Sequence, residues 1–351
     1  NFKVWNASGG SLLWNKSFAS YVHEVSFGHF NALGGKDMAI RFSNDSVLIL
    51  DGLDGSTIGT IQPDPNFGTA KILSGDLNFG NSNEEIVVLF ENTFPSETFV
   101  GWYDGSGTEL YRSSQNVSTT ATSMELGRFL GGSYLDVIIG GANTEALVFR
   151  GSDGAYQWSF NTDNSIVEFV PGDFNGDGYE DFAYLTVDDV IYTIDSFLQS
   201  KMYSVSLNRF YIYDMQAQDV VDNGIEKEEL FVYSQPYGLV GYNETGASVW
   251  NYSVPLNTSN SLAELSFTDF DGDEAIDVVL SNHDGFSVFS GINQSVMWHY
   301  REESLDLPLR NMIVGDFDGD NYQDAAFSLD EKLLIVSGNP NAKRTPYPQY
   351  N

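Results

Sequence analysis

Residues 172–182 read Gly172-Asp173-Phe174-Asn175-Gly176-Asp177-Gly178-Tyr179-Glu180-Asp181-Phe182. Acid or amide side chains stand at the first, third, fifth and ninth places of this loop, at Asp173, Asn175, Asp177 and Asp181. Oxygen ligands at that spacing can converge on one hard cation, and calcium takes about six to eight of them. A backbone carbonyl near Tyr179 would add another. The loop glycines let the chain turn back sharply enough to aim the side chains inward.

The design recurs twice. Asp269, Asp271 and Asp273 are followed by Asp277, and Asp316, Asp318 and Asp320 by Asp324. An EF-hand needs a bidentate Glu at the twelfth place and flanking helices. The twelfth places here are Tyr184, Leu280 and Phe327. The apolar, β-forming runs that follow each loop (182–186, 276–280 and 324–328) read as strands.

Degenerate copies extend along the chain. They open at Gly28, Gly75, Gly127, Gly172, Gln218, Thr268 and Gly315, in steps of 47, 52, 45, 46, 50 and 47 residues. Each copy has a strand into the loop, a strand out of it, a third after a short turn and a fourth often carrying Trp or Tyr. A period near fifty with only β-type segments predicts an all-β, seven-bladed β-propeller of four-stranded blades with calcium-binding loops. The Phe beside the first acid and the fourth-strand aromatics are the expected fillers between blades.

Residues 1–20 match the third and fourth strands of a repeat, so this N-terminal hairpin is expected to complete the last blade and close the ring. Residues 21–338 hold the seven repeats, and the Pro-rich 339–351 reads as a tail or linker. The count leaves one strand over: Phe2 to Asn6 or Leu333 to Ser337 is displaced, or the chain is a slice of something longer.

The loop, its following strand and its period resemble the FG-GAP repeat, also called the VCBS-like repeat, of the integrin α-subunit propeller. The resemblance spans nearly the whole chain by period, with the motif intact in three of seven copies. It implies calcium in some loops joining the first two strands of a blade, and partner binding on the other face or the rim. Carried over, the ligands are Asp173, Asn175, Asp177 and Asp181; Asp269, Asp271, Asp273 and Asp277; and Asp316, Asp318, Asp320 and Asp324. His29 and Arg128 replace the first acid in the first and third copies, where no calcium is expected. The second copy keeps Asp76 and Asn78 and the fifth keeps Asp219, Asp222 and Asn223, in altered spacing. Glu274 stands where the sixth loop would have its second Gly.

The net charge of −33 opposes nucleic acid and anionic membrane surfaces. At 42% hydrophobic and 14% aromatic, the chain lies outside the disordered range. Without cysteine it has no disulfide, thiolate zinc site or Cys nucleophile. No apolar run is long enough to span a bilayer. The chain opens on Asn1 rather than Met, which points to a processed chain with any leader or anchor outside these residues. Glycosylation sequons at Asn6, Asn15, Asn44, Asn116, Asn243, Asn251, Asn257 and Asn293 point to an extracellular or cell-surface glycoprotein.

His23, His29, His283 and His299 show no metal-ligand spacing, and no Ser sits in a nucleophile elbow. The expectation is a non-catalytic binding, adhesion or surface-assembly module engaging another protein or a surface glycan, or building an array or filament. The alternative is a carbohydrate-active propeller, resembling some polysaccharide lyases, or a lectin-like domain.

Overall fold

In each repeat the apolar runs become the antiparallel strands of one sheet. The computed structural model describes residues 2–5, 12–62, 66–77, 83–93, 96–113, 121–142, 144–207, 211–220, 227–235, 237–252, 263–282, 285–300, 310–317, 320, 322–329 and 332–338, and among them there is no helix. Strands β1 (Phe2–Trp5) and β2 (Leu12–Lys16) pair as a two-stranded sheet. Four-stranded sheets follow in chain order: β3 (Val22–Gly28), β4 (Asp37–Phe42), β5 (Val47–Leu50), β6 (Thr57–Ile61); then β7 (Gly68–Gly75), β8 (Glu85–Thr93), β9 (Ser96–Tyr103), β10 (Glu109–Arg112). Next come β11 (Ala121–Gly127), β12 (Asp136–Gly141), β13 (Glu145–Phe149), β14 (Tyr156–Asn161), and β15 (Ile166–Gly172), β16 (Asp181–Thr186), β17 (Val190–Asp195), β18 (Ser200–Ser206). Then follow β19 (Tyr211–Gln218), β20 (Glu229–Gln235), β21 (Gly238–Tyr242), β22 (Ser248–Tyr252), and β23 (Glu264–Thr268), β24 (Asp277–Asn282), β25 (Gly285–Phe289), β26 (Val296–Tyr300). The last sheet has three strands: β27 (Arg310–Gly315), β28 (Asp324–Leu329), β29 (Lys332–Ser337).

The chain falls into two compact units, Asn1–Pro171 with Gly178–Lys201, and Gly172–Asp177 with Met202–Asn351. Within each, the core lies between successive sheets, because a two-faced sheet must cover both faces. In the first unit Val87, Trp102, Val137 and Phe149 join the second sheet to the third. In the second unit Phe231, Trp250, Val278 and Phe289 do the same for the fifth and sixth. The expected aromatic fillers are there: Phe30, Phe129, Phe174 and Phe270 are buried, as are Trp158 and Trp250.

An acid heads every second strand: Asp37, Glu85, Asp136, Asp181, Glu229, Asp277 and Asp324, none more than 4% exposed. One oxygen accepts an amide from the loop, as from Phe30 (2.9 Å), Leu77 (3.0 Å), Leu130 (3.0 Å), Val220 (3.0 Å), Phe270 (3.0 Å) and Phe317 (2.9 Å). In five repeats the other accepts the amide of the turn leaving the third strand: Gly52 (3.2 Å), Gly151 (3.1 Å), Ser196 (3.0 Å), Gly291 (3.0 Å) and Gly338 (3.3 Å). A Cβ at Gly52, Gly151, Gly291 or Gly338 would strike the carbonyl just before the acid. Ser196 turns that close approach into a bond, its hydroxyl donating to Glu180 O at 2.7 Å.

Carboxylates also stitch sheet to sheet inside each unit. Arg128 N donates to Glu180 and Ile72 N to Glu24, both at 2.9 Å. In the second unit Asp173 N donates to Glu228 (2.8 Å) and Leu265 N to Asp214 (2.6 Å). These amides have no ladder partner of their own, and a buried unpaired amide costs about 1–3 kcal/mol.

Asp136→Ala, in a repeat where no metal is expected, orphans two amides and is expected to cost about 2–5 kcal/mol in urea unfolding at neutral pH. Burial pushes Asp136 up to about 6, partly offset by the amides of Gly151 and Leu130. Its folded pKa thus lies above the unfolded 3.8, so this contribution is fully present below pH 3.8 and is lost as pH rises through 6. The stability difference between the parent and Asp136→Asn should shift against the parent across that window, and a flat difference contradicts the assignment.

Candidate metal centre

The sixth loop turns tightly because Asp269 gathers its amides. Asp269 Oδ1 accepts Gly272 N at 2.7 Å and Asp273 N at 3.1 Å, and Oδ2 accepts Glu274 N at 3.0 Å. Asp273 Oδ1 accepts Ala275 N at 3.0 Å. The turn needs left-handed backbone at Gly272 (φ 80°) and at Glu274 (φ 74°), where a side chain is strained. This curl brings carboxylate oxygens of Asp269, Asp271 and Asp273 within 4.8 Å of one another. Asp277 is not one of that group; its oxygens sit on the amides of Phe270 and Gly291, and burial pushes it up to about 6.

Asp271 Oδ1 is shielded from solvent and has no hydrogen-bond partner among the described residues. Burial, then the charges of Asp273 and Asp269, hold its carboxyl above the usual range. Three converging carboxylates, one with a buried oxygen lacking a donor, are an all-oxygen set suited to a hard divalent cation.

In the fourth loop Asp173 Oδ1 accepts Gly176 N (2.7 Å) and Asp177 N (3.2 Å), and Asn175 Oδ1 accepts Asp177 N (2.8 Å). Gly178, the counterpart of Glu274, has φ 86°. Asp181 heads β16 on the Ser196 amide. The Tyr179 ring lies against Gly131 of the third loop and meets Phe197 at a tilt, 4.8 Å between centroids. In the seventh loop Asp316 Oδ1 accepts Asp320 N at 3.2 Å and Asp324 heads β28, while Asp318 lies outside the described residues.

The degenerate loops are filled by other means. His29 Nδ1 lies 2.8 Å from Gly35 O, and the Asn31 amide bridges Asp37 and Asp51 at 3.3 and 3.0 Å. Arg128 pairs with Glu180 at 3.8 Å. Asn78, Asp222 and Asn223 lie outside the described residues, as do Asn6, Asn116, Asn257 and His283. Asn15, Asn44, Asn251 and Asn293 are exposed and Asn243 is half-buried. Asn44 and Asn243 each receive the hydroxyl of their own sequon, Ser46 and Thr245, at 2.8 Å.

Ser287 Oγ and His299 Nδ1 lie 2.9 Å apart as a cross-strand pair of β25 and β26. An open cavity of about 470 Å³ lies in the second unit along the first strands, lined by Tyr213, Asp214, Gln216, Glu264 and Met312 among others. Its two acids accept backbone amides, Asp214 from Leu265 and Met215 and Glu264 from Met312. Burial pushes Asp214 up to about 6.

No family model matches the sequence, and no curated protein does. Solved structures do. BBS1N, crystallised in complex with ARL6DN, is 11% identical with a TM-score of 0.62, over 94% of this chain and 95% of that one. The C-terminal WD40 domain of Sif2 is 13% identical at TM-score 0.60, over 91% and 82%. The fold is a β-propeller. Rhamnogalacturonan lyase PL11 of Bacillus licheniformis is similar at TM-score 0.58 and 13% identity, over 91% of this propeller and 72% of that chain.

Replacing the strained Glu274 by Gly keeps its amide on Asp269 and is expected to raise stability by about 1 kcal/mol. Gly178→Ala is expected to lower it by a similar amount. Denaturant midpoints check both, and a destabilised Glu274→Gly would contradict the loop geometry.

Proposed function

We propose that this propeller is a calcium-stabilised binding or adhesion module of seven repeats, displayed outside the cell, which engages another protein or a glycan and does not catalyse. The observation that carries the metal is Asp271 Oδ1, buried without a donor beside Asp269 and Asp273. The loops of Asp173 and Asp316, built on the same acid-to-amide curl, are proposed as two further sites, with Asp181, Asp277 and Asp324 fixing the strand behind each. Bound calcium would hold these loops and offset part of the −33 charge. The exposed sequons support the extracellular setting. The non-catalytic reading draws on the acids of the 470 Å³ cavity, which accept backbone amides. That BBS1N was crystallised with a protein partner supports propeller-to-protein docking as the mode.

Calcium is expected to raise the melting temperature, with about 2.7 kcal/mol per site at a hundredfold excess over Kd. Asp271→Asn should remove one site's share of that gain, and Arg128→Ala should leave it intact. Identical melting with calcium and with chelator would overturn the metal reading.

The second reading, a carbohydrate-active propeller, draws on the likeness to the PL11 lyase and on the 470 Å³ cavity. Incubation with rhamnogalacturonan and other polysaccharides is expected to yield no shortened or unsaturated products. Products that disappear in a Tyr213→Phe, Asp214→Asn variant would replace binding by catalysis.

A further inference from the structure

The first strands of three repeats carry an acid at the same place, four residues before the loop opens: Glu24 before Gly28, Asp214 before Gln218 and Glu264 before Thr268. Each accepts an amide from the first strand of the next sheet, Ile72 N, Leu265 N and Met312 N. In the first repeat a guanidinium sits on that clasp. Arg41 stands directly across the ladder from Glu24, and its Nε donates to Glu24 Oε2 at 3.2 Å, the oxygen that already holds Ile72 N at 2.9 Å. Arg41 Nη1 donates to Thr69 O of the next sheet at 2.9 Å. A carboxylate that clasps an amide therefore still takes an arginine, because its two oxygens offer about four acceptor sites.

In the second unit the residues across the ladder from Asp214 and Glu264 are Tyr233 and Ser281, and neither carries a cation. The cavity of about 470 Å³ opens over these two acids, with Tyr213 and Met312 in its wall and Gln216 and Ile313 exposed at it. Ser281 is wholly buried on the Glu264 side of its sheet, and its hydroxyl has no hydrogen-bond partner among the described residues. Cross-strand neighbours stand about 5 Å apart, so that hydroxyl is within reach of a donor seated on Glu264. A guanidinium has five N–H donors in a fixed fork and can serve a carboxylate and a hydroxyl at once, whereas an ammonium is a compact point charge. Burial, reinforced by the charge of Glu264, pushes Asp214 up, and a cation in the same space relieves both effects. The net charge of −33 draws cationic partners to the surface.

We infer, on the reading of this propeller as a protein-binding module, that the cavity is the seat for an arginine side chain of a protein partner. The guanidinium is held as Arg41 is held on Glu24, between the carboxylates of Asp214 and Glu264, with Ser281 Oγ as a further acceptor. Its aliphatic stem lies along Tyr213, Met312 and Ile313, as long basic side chains do on apolar surface.

Chemical-shift titration of the 351-residue chain tests this, read at the amides of Asp214, Glu264 and Met312. The probe is the peptide acetyl-Gly-Gly-Arg-Gly-Gly-amide, compared with versions carrying lysine or citrulline in place of arginine. The arginine peptide is expected to shift these amides saturably. The citrulline peptide, alike in shape and neutral, is expected to bind at least about tenfold more weakly. Gln216→Lys sets an ammonium at the exposed edge of the cavity and is expected to abolish the shifts without lowering the melting temperature. Glu264→Gln keeps an acceptor for the Met312 amide and is expected to weaken binding at least about tenfold. No saturable shift with the arginine peptide, equal binding of the lysine or citrulline peptide, or unchanged binding to folded Gln216→Lys overturns the assignment. Tighter binding of spermidine would make a free polyamine the occupant and overturn it as well. Shifts from a rhamnogalacturonan oligosaccharide and none from the peptide would overturn it together with the protein-binding reading, whereas no shift from any ligand overturns the assignment alone.

Discussion

A carboxylate taken out of water at the head of a second strand has to be met by amides, and in the first, third, sixth and seventh repeats it is met on two sides. The acid ties the loop before its strand to the turn after the next, in places where no ladder satisfies those amides. A propeller sheet has little else to hold its corners, because successive sheets pack through apolar faces and share no backbone ladder. The clasp is present with intact loops, as at Asp277, and with loops that have lost their first acid, as at Asp37 and Asp136. It is therefore older in the logic of the fold than any metal site built above it.

The acidic composition takes on a second meaning in this light. A net charge of −33 is a cost to a folded chain unless the carboxylates are placed where they are needed. Many are. Glu24, Asp214 and Glu264 reach from one inner strand to an amide of the next, and Glu180 and Glu228 reach from one loop head to another. Among the described residues the loop acids Asp269, Asp271 and Asp273 converge, and there a divalent cation would be the natural counterion.

The fold was legible because the repeat is audible in the residues: the fifty-residue step, the strand after each loop and the Phe beside the first acid all reappear as sheets and core. The loop acids were legible for the same reason. The ninth-place acid was read as a ligand in three loops, and its persistence as Asp37, Glu85, Asp136 and Glu229 in the degenerate copies pointed to a further task, accepting amides, that needs no metal. In four repeats the turn glycines carried the matching signal, spaced fourteen or fifteen residues after the acid, at Gly291 and Gly52 for example. The sheet-to-sheet bonds had no signature, since an acid four residues before a strand's end looks like any exposed polar position until the neighbouring sheet is in place.

On the proposed reading, binding would be done by a scaffold whose rigidity comes first from buried carboxylates and would be tuned by cations at a few corners. The most direct measurement is native-state amide exchange in the presence of a chelator, read at Gly52, Gly151 and Gly291. The account predicts exchange as slow as in the neighbouring strands at all three, whether or not the loop above carries a metal-type acid set. Exchange near the random-coil rate at Gly52 and Gly151 would show that the clasp does not hold the fold.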